Sequence, residues 1–400
     1  MVHDPARDVR DDIAATSDVP DFADKIWFQK TAGAVVEPGR CVGCGGCVAA
    51  CPSRSIEIAE DGSPTLVGMC TGCSFCWDVC PMAGLDVAAL AEPGGAQRDA
   101  TRAPPLLLAV AAKARRPSPG AQDGGVVTAL LSELLRLGRI DAALVTARLD
   151  AFEGEALLAT TPEQIEAAAG SVYHQANPLA LLGALPPAGI SSIAVVGTPC
   201  QIAAVRMLQR APWRYRRSAA PLVTLTVGLF CTRSFQHTVL RDAVTERVGA
   251  EVDRIDVRDG RLTVSHNGEK RMVGRIEEFR DAALPGCDEC SDLTAEFADI
   301  AVGNLGSAAG YTTVLVRTPA GKQAWDQASD AFDVIPLPDP EAVARADRRN
   351  RSEAQRVRPL APAPGQIRIG YLEHLEAYAS TERSHAAAPA HRSQHYKTSC

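Results

Sequence analysis

The sequence "CVGCGGCVAACP" (residues 41–52) recurs along the chain as "CTGCSFCWDVCP" (70–81). Both stretches follow C-x2-C-x2-C-x3-C-P, a spacing typical of two [4Fe–4S] clusters in which the fourth cysteine of each run binds the other run's cluster. Structural zinc requires only two C-x2-C pairs, so two runs of four cysteines favour the clusters. The pattern therefore predicts two ligand sets: Cys41, Cys44, Cys47 and Cys80 for cluster 1, and Cys70, Cys73, Cys76 and Cys51 for cluster 2.

Composition restricts the remaining classes of function. The chain has 400 residues, of which 46% are hydrophobic and 22% charged, values ordinary for a globular protein of two or three domains. A net charge of −7 argues against nucleic acid as the main partner. No apolar run approaches the ~18–20 residues of a membrane helix, and the N-terminus lacks the layout of a signal peptide, so we expect a cytoplasmic protein without a transmembrane segment. Disulfides are rare in the cytosol, so metal ligation best explains the 13 cysteines.

Short apolar strands alternate with helices from residue 106 onward, which predicts an α/β domain. Examples are the strand "SSIAVVG" before the helix "PCQIAAVRMLQR", a helix at "NPLALLGAL", and a hairpin region with Asp-Gly and Asn-Gly turns. The fold class expected is α/β (α+β overall): a two-cluster domain of the bacterial ferredoxin type followed by a mixed-sheet α/β domain. The expected divisions are an arm (1–32), the ferredoxin domain (33–90), a Gly/Pro-rich linker (91–105), the α/β domain (106–335) and a C-terminal extension (336–400) whose last ~20 residues are disordered.

Five cysteines lie outside the two runs: Cys200, Cys231, Cys287, Cys290 and Cys400. The first two follow predicted strands, and ligands gather outside the carboxyl ends of parallel strands. Together with the C-x2-C pair at 287–290 they could converge on a third [4Fe–4S] cluster. The alternatives are buried bystander cysteines, structural zinc on all four, or a nucleophilic Cys200 at a helix N-terminus, where the pKa of a thiol falls. Cys400 is assigned no role.

Five motifs, in order, resemble the beta-subunit family of coenzyme F420-reducing hydrogenases and formate dehydrogenases. They are "QDGGVVTALLSELL" (122–135), "AAGSVYHQANPL" (168–179), "VGTPCQIAAVR" (196–206), "GLFCTRSF" (228–235) and "CDECSDLTAEFADIAVGNLGSAAGYTTVLVRT" (287–318). With the ferredoxin segment, the resemblance covers roughly residues 35–325. It implies FAD in the α/β domain and a third [4Fe–4S] cluster beside it, held by Cys200, Cys231, Cys287 and Cys290.

The resemblance also implies where FAD binds. The "QDGG" turn before a helix is a natural cradle for phosphates, with Gly124, Gly125 and Thr128 as donors; the alternative is a helix cap with no ligand. Further candidates for cofactor binding are Ser171, Tyr173, Asn177, Thr198, Asn304 and Ser307. The basic cluster "RAPWRYRR" (210–217) is either a solvated face or a site that attracts an acidic coenzyme tail. We expect His385, His391 and His395 to belong to a solvated tail rather than to a metal site.

The function implied is an F420-dependent oxidoreductase without a catalytic side chain, in which FAD exchanges hydride with the deazaflavin and passes single electrons to the clusters. Alternatives are a ferredoxin-dependent reductase of another organic substrate, of the chlorophyll-pathway type, and a non-catalytic electron-transfer subunit. We expect a redox partner protein or catalytic subunit, within an oligomer or complex. Family members often carry an acidic residue where this chain has Asn304, which puts the choice of substrate in question.

Overall fold

The computed structural model describes residues 27–83, 106–210, 217–249 and 251–357. Most of the arm, the linker 91–105, the basic cluster apart from its ends, and the tail with its three histidines lie outside the described residues. Within the described residues, no helix is both long enough and apolar enough to cross a membrane.

The ferredoxin module repeats its backbone along with its sequence. Its elements are α1 (Phe28–Thr31), which continues into a π-helical turn (Ala32–Val36), α2 (Gly46–Ala50), β1 (Ile56–Ile58), β2 (Pro64–Leu66) and α3 (Phe75–Asp78). Gly43 and Gly72, at equivalent places in the two runs, have φ of 60° and 66°. Gly45 and Ser74, also equivalent, have φ of 78° and 65° and precede α2 and α3. These left-handed turns bend each C-x2-C loop back on itself, and glycine adopts them without steric cost.

Part of the predicted arm belongs to this module. Phe28 and Ala32 are fully buried in a small core with Ile56 and Cys76. The arm therefore anchors its last residues against the ferredoxin core.

Eleven strands follow among the described residues: β3 (Leu108–Ala114), β4 (Ala142–Arg148), β5 (Gly154–Ala159), β6 (Ile193–Gly197), β7 (Val223–Leu229), β8 (Arg254–Arg258), β9 (Arg261–His266), β10 (Glu269–Arg275), β11 (Ile300–Gly303), β12 (Thr312–Val316) and β13 (Phe332–Pro336). The α-helices of the same region are α4 (Val126–Arg136), α5 (Pro162–Ala167), α6 (Pro199–Arg210), α7 (His237–Val248), α8 (Pro319–Gln327) and α9 (Pro340–Val357). The helix predicted at "NPLALLGAL" is instead a 3-10 helix, Pro178–Gly183.

Eight strands form one mixed sheet in the order β13-β3-β12-β11-β7-β6-β4-β5. The central strands β11, β7, β6 and β4 are parallel, whereas β12, β3, β13 and β5 pair antiparallel with their neighbours. The mixed α/β class predicted from the alternating pattern is confirmed. β8, β9 and β10 form a separate antiparallel sheet, and the predicted Asp-Gly and Asn-Gly turns connect them with positive φ at all four residues.

The ferredoxin module and the large sheet share one apolar core. Val42 and Trp77 of the module belong to the same buried cluster as Leu144, Val195 and Ala204 of the α/β domain. On the other side of the sheet, Leu130 of α4 and Trp325 of α8 join a second cluster. The shared core fixes the ferredoxin module on the sheet, and so fixes its cysteines relative to the strand ends.

Candidate redox site at the carboxyl edge of the sheet

One edge of the large sheet collects the ends of its parallel strands. Cys200 follows β6, and Cys231 follows β7, two neighbouring parallel strands. β3 runs in the same direction, because β12 is antiparallel to both β3 and β11. The loop after β3, with Gly124, therefore lies at the same edge as Cys231 and as the loop after β11, which carries Asn304.

Four cysteines from three distant segments come together at this edge. Burial raises the pKa of Cys231 well above its ordinary value, and Cys287, Cys200 and Cys290 raise that pKa further through their charge. Burial also raises the pKa of Cys200 and of Cys287 to about 12 each. Thiols so placed are protonated at neutral pH, and a metal cluster must displace those protons on binding.

Short polar contacts surround these thiols. The backbone N–H of Ser234 donates to Sγ of Cys287 (3.4 Å), and Oγ1 of Thr198 lies 3.2 Å from Sγ of Cys200. Hydrogen bonds to ligating sulfur tune the potential of iron–sulfur clusters, so this environment fits a cluster as well as the donor set does.

The structure brings ferredoxin cysteines of the two runs close to one another. A cavity is lined by all four cysteines assigned to cluster 2, namely Cys51, Cys70, Cys73 and Cys76. Cys41, Cys44 and Cys80, assigned to cluster 1, all lie close enough to Cys47 to raise its pKa, although burial is the larger cause and Cys76 of the other set contributes.

Backbone N–H groups also point at these sulfurs. Phe28 donates to Sγ of Cys70 (3.4 Å), Ser55 to Sγ of Cys51 (3.3 Å) and Gly46 to Sγ of Cys44 (3.4 Å). Among the described residues, no three His, Cys, Asp or Glu side chains lie close enough to hold a single metal ion. Cubane ligands bind separate irons and have no need to approach so closely.

The two groups of cysteines are neighbours. After burial, the largest cause that raises the pKa of Cys44 is Cys200, which belongs to the group at the sheet edge. A Cβ on Gly46 would lie 3.1 Å from Cβ of Ala204, so α2 and α6 are in close contact. Cys44, a cysteine assigned to cluster 1, therefore lies near the sheet-edge group at the contact between these two helices.

Polar contacts at the same edge connect the loop after β3, the loop after β11 and strand β8. Arg258 forms an ion pair with Asp123, whose pKa is nevertheless raised by burial. Asn304 Nδ2 donates to the carbonyl of Val257 (3.1 Å), and the N–H of Val257 donates to the Tyr173 hydroxyl (2.7 Å). Three separate segments thus meet around β8.

The predicted cofactor residues do not all meet here. Tyr173 and Asn304 both contact Val257 of β8, Ser171 contacts the Tyr173 hydroxyl, and Ser307 donates to the carbonyls of Asn304 (3.0 Å) and Tyr311 (2.9 Å). Thr198 sits beside Cys200 instead. Asn177 faces the ferredoxin module, where its Nδ2 donates to the carbonyl of Gly62 (3.1 Å).

The "QDGG" turn packs tightly onto the sheet. The N–H of Gly124 donates to Oγ1 of Thr312 (3.0 Å), and a Cβ on Gly124 would collide with the carbonyl oxygen of Ala112. Gly125 has φ of 64° and precedes α4, in which Thr128 is half-buried. Only glycine at 124 lets the chain lie this close to the strands.

Arg148, at the end of β4, is a residue that the sequence patterns did not indicate. Within the described part of the chain, its Nη1 is buried and has no hydrogen-bond partner. A Cβ on Gly170, whose φ is 135°, would lie 3.8 Å from this atom. A second guanidinium is near, since Arg254 Nη1 donates to the carbonyl of Gly120 (3.3 Å). An orphaned buried donor of positive charge fits an anionic group such as a diphosphate.

Family models match three parts of the chain. They are the 4Fe-4S dicluster domain over residues 34–97 and the N-terminal and C-terminal domains of the coenzyme F420 hydrogenase/dehydrogenase beta subunit over residues 109–183 and 190–339. A dicluster domain joined to this mixed-sheet domain defines an iron–sulfur electron-transfer protein of the oxidoreductase class. The chain belongs to the coenzyme F420 hydrogenase/dehydrogenase beta subunit family.

Two curated proteins illustrate the relationship. Coenzyme F420 hydrogenase subunit beta of Methanothermobacter thermautotrophicus is 33% identical over 224 residues, 54% of this chain and 79% of that protein. Coenzyme F420-dependent sulfite reductase of Methanocaldococcus jannaschii is 34% identical over 218 residues, 50% of this chain, but the match spans only 34% of that longer protein.

A solved structure has the same fold. A chain of the F420-reducing [NiFe] hydrogenase complex from Methanosarcina barkeri superposes with a TM-score of 0.60 and 27% identity, covering 64% of this chain and 92% of that chain.

Proposed function

We propose that this chain is an FAD-containing iron–sulfur oxidoreductase that exchanges hydride with coenzyme F420 and passes single electrons through three [4Fe–4S] clusters to or from a partner protein. The observation that carries the proposal is the gathering of Cys200, Cys231, Cys287 and Cys290 at the sheet edge, with Cys200 facing Cys44 of the ferredoxin module. When bound, FAD supplies the exchange between two-electron and one-electron chemistry.

The residues at the sheet edge would have different roles in binding the cofactors. Arg148 Nη1, which is unsatisfied in the described structure, and the first turn of α4 would bind the FAD diphosphate. The N–H groups of Gly124 and Gly125 already donate to Thr312 Oγ1 and the Gln122 carbonyl, so these glycines would shape the turn rather than donate to the cofactor. Tyr173 and Asn304 would position β8 beside the cofactor through their hydrogen bonds to Val257. The four sheet-edge cysteines would hold the third cluster, and the eight ferredoxin cysteines would hold the other two.

We expect Arg148→Gln to weaken FAD binding. Loss of one charge-assisted hydrogen bond of about 1.5–3 kcal/mol corresponds to a decrease in affinity of roughly 10- to 100-fold. Quenching of flavin fluorescence on titration into reconstituted protein measures the Kd. Arg139→Gln is the matched control, because Arg139 is exposed beyond the other end of α4. Equal Kd values for the two variants would remove Arg148 from the FAD site.

Anaerobic mixing with reduced coenzyme F420 tests the function itself. The FAD-loaded chain is expected to bleach at the flavin as F420 is oxidised. Flavin that stays oxidised with reduced F420, but bleaches with a reduced ferredoxin, would support the reductase of another organic substrate. A chain that binds no FAD after reconstitution but holds about twelve irons, four for each of three cubanes, would support a non-catalytic electron-transfer subunit.

A further inference from the structure

A buried ion pair connects two residues that are 249 positions apart in sequence. Nε and Nη2 of Arg40 each donate to a different oxygen of Glu289, both at 2.8 Å. The two side chains are 0% and 2% exposed. A bidentate pair of this kind fixes both distance and orientation, because the planar guanidinium matches the carboxylate.

The pair lies between two sets of cysteines. Arg40 immediately precedes Cys41, a predicted ligand of cluster 1. Glu289 lies inside the C-x2-C loop of Cys287 and Cys290. The ion pair therefore joins the loop of cluster 1 directly to the loop of the sheet-edge cysteines.

The surrounding backbone is shaped for the pair. The π-helical turn leaves the carbonyl of Ala34 to accept from Nη1 of Arg40 (2.8 Å). A Cβ on Gly286 would collide with the carbonyl oxygen of Arg40, so the two loops touch through their backbones as well. π-helical turns occur frequently at functional sites.

We propose that Arg40 and Glu289 form a positioning pair, which holds cluster 1 and the third cluster at a fixed separation and keeps the protein between them electrically neutral. The inference rests on the proposed function, since it assumes a third cluster. Charges in a poorly solvated interior act strongly on their neighbours. Removal of either charge would therefore change the electron affinity of both clusters, and the two removals would change it in opposite directions.

The test compares Glu289→Gln, Arg40→Gln and the double variant by EPR of samples poised at fixed potentials. We expect Glu289→Gln, which removes an anion, to raise the ratio of reduced to oxidised cluster at least tenfold for both clusters. Tenfold corresponds to 59 mV for one electron. Arg40→Gln should lower the ratio at least tenfold, and the double variant should return it to within threefold of the wild type.

The signs separate this role from mere structural support, which would change both single variants in the same direction. Shifts of the same sign, or ratios within threefold of the wild type in both single variants that retain about twelve irons, would overturn the proposal. If Arg40→Gln yields no folded protein, the test rests on Glu289→Gln and the double variant. A raised ratio of reduced to oxidised cluster in Glu289→Gln that does not return toward the wild type in the double variant would then overturn the proposal. Arg136→Gln, which removes the exposed pair with Glu166, is the matched control and should change nothing.

Failure of the proposed function gives a different result. A wild-type chain with about eight irons and no signal from a third cluster would contradict the three-cluster account. Cluster 1 would still report the opposite-sign shifts in that case. The effect of the pair on cluster 1 can therefore be tested whether or not the third cluster is present.

Discussion

Replacing Cys231 by serine is expected to lower the iron content from about twelve to about eight per chain and to cut electron transfer between flavin and ferredoxin clusters at least 100-fold, an order-of-magnitude figure for loss of a metal site's ligand. Cys231 is buried, and the three other thiols of the sheet-edge group lie close enough to raise its pKa. FAD binding should be retained, because the loop after β3 is a separate part of the same edge. Iron analysis and stopped-flow absorbance measure the two effects.

Cys400→Ser is the matched control for this substitution, since the sequence assigns Cys400 no role. It should retain the full iron content. Eight irons in the wild type, or an undiminished iron content in Cys231→Ser, would show that the sheet-edge cysteines are buried but bind no cluster.

Replacing Gly124 by alanine is expected to lower FAD occupancy to below a tenth of the wild-type value while the iron content stays unchanged. A Cβ at this position collides with the Ala112 carbonyl and lies 2.9 Å from the N of Thr312, both backbone atoms that cannot rotate away. Overpacking of about 1–3 kcal/mol would then displace the turn before α4. Flavin released on denaturation and iron measured on the same sample provide the two readouts.

Gly33→Ala is the control for this second substitution. The nearest neighbour of a new Cβ there is Oε2 of Glu37 at 3.9 Å, so no collision follows. Normal FAD occupancy in Gly124→Ala would show that the turn before α4 does not hold the cofactor.

Features that depend on the spacing of residues close together in the chain could be predicted from the sequence. The cysteine runs identified the dicluster domain, now matched by a family model, and the apolar alternation identified the central strands. The apolar alternation did not indicate β5 or β13. Both are edge strands, and β13 buries only Phe332, so neither shows the pattern of a half-buried strand.

The long-range features of the site could not be read from the sequence. Arg40 and Glu289 meet only because the ferredoxin module packs on the sheet, and nothing in their local patterns pairs them. Arg148 is one arginine among many until its Nη1 is found buried without a partner in the described structure. Asn177, a cofactor candidate by motif, instead contacts Gly62 across the same domain contact.

Rapid anaerobic mixing of reduced F420 with the fully loaded chain follows electrons on their proposed route from coenzyme F420 through FAD to three clusters. Flavin absorbance and freeze-quenched EPR follow the two kinds of centre in one experiment. Flavin should bleach first, and signals from reduced clusters, including the third, should appear afterwards. Flavin that remains oxidised while F420 remains reduced, or clusters that are reduced without any change in the flavin, would show that electrons do not take this route.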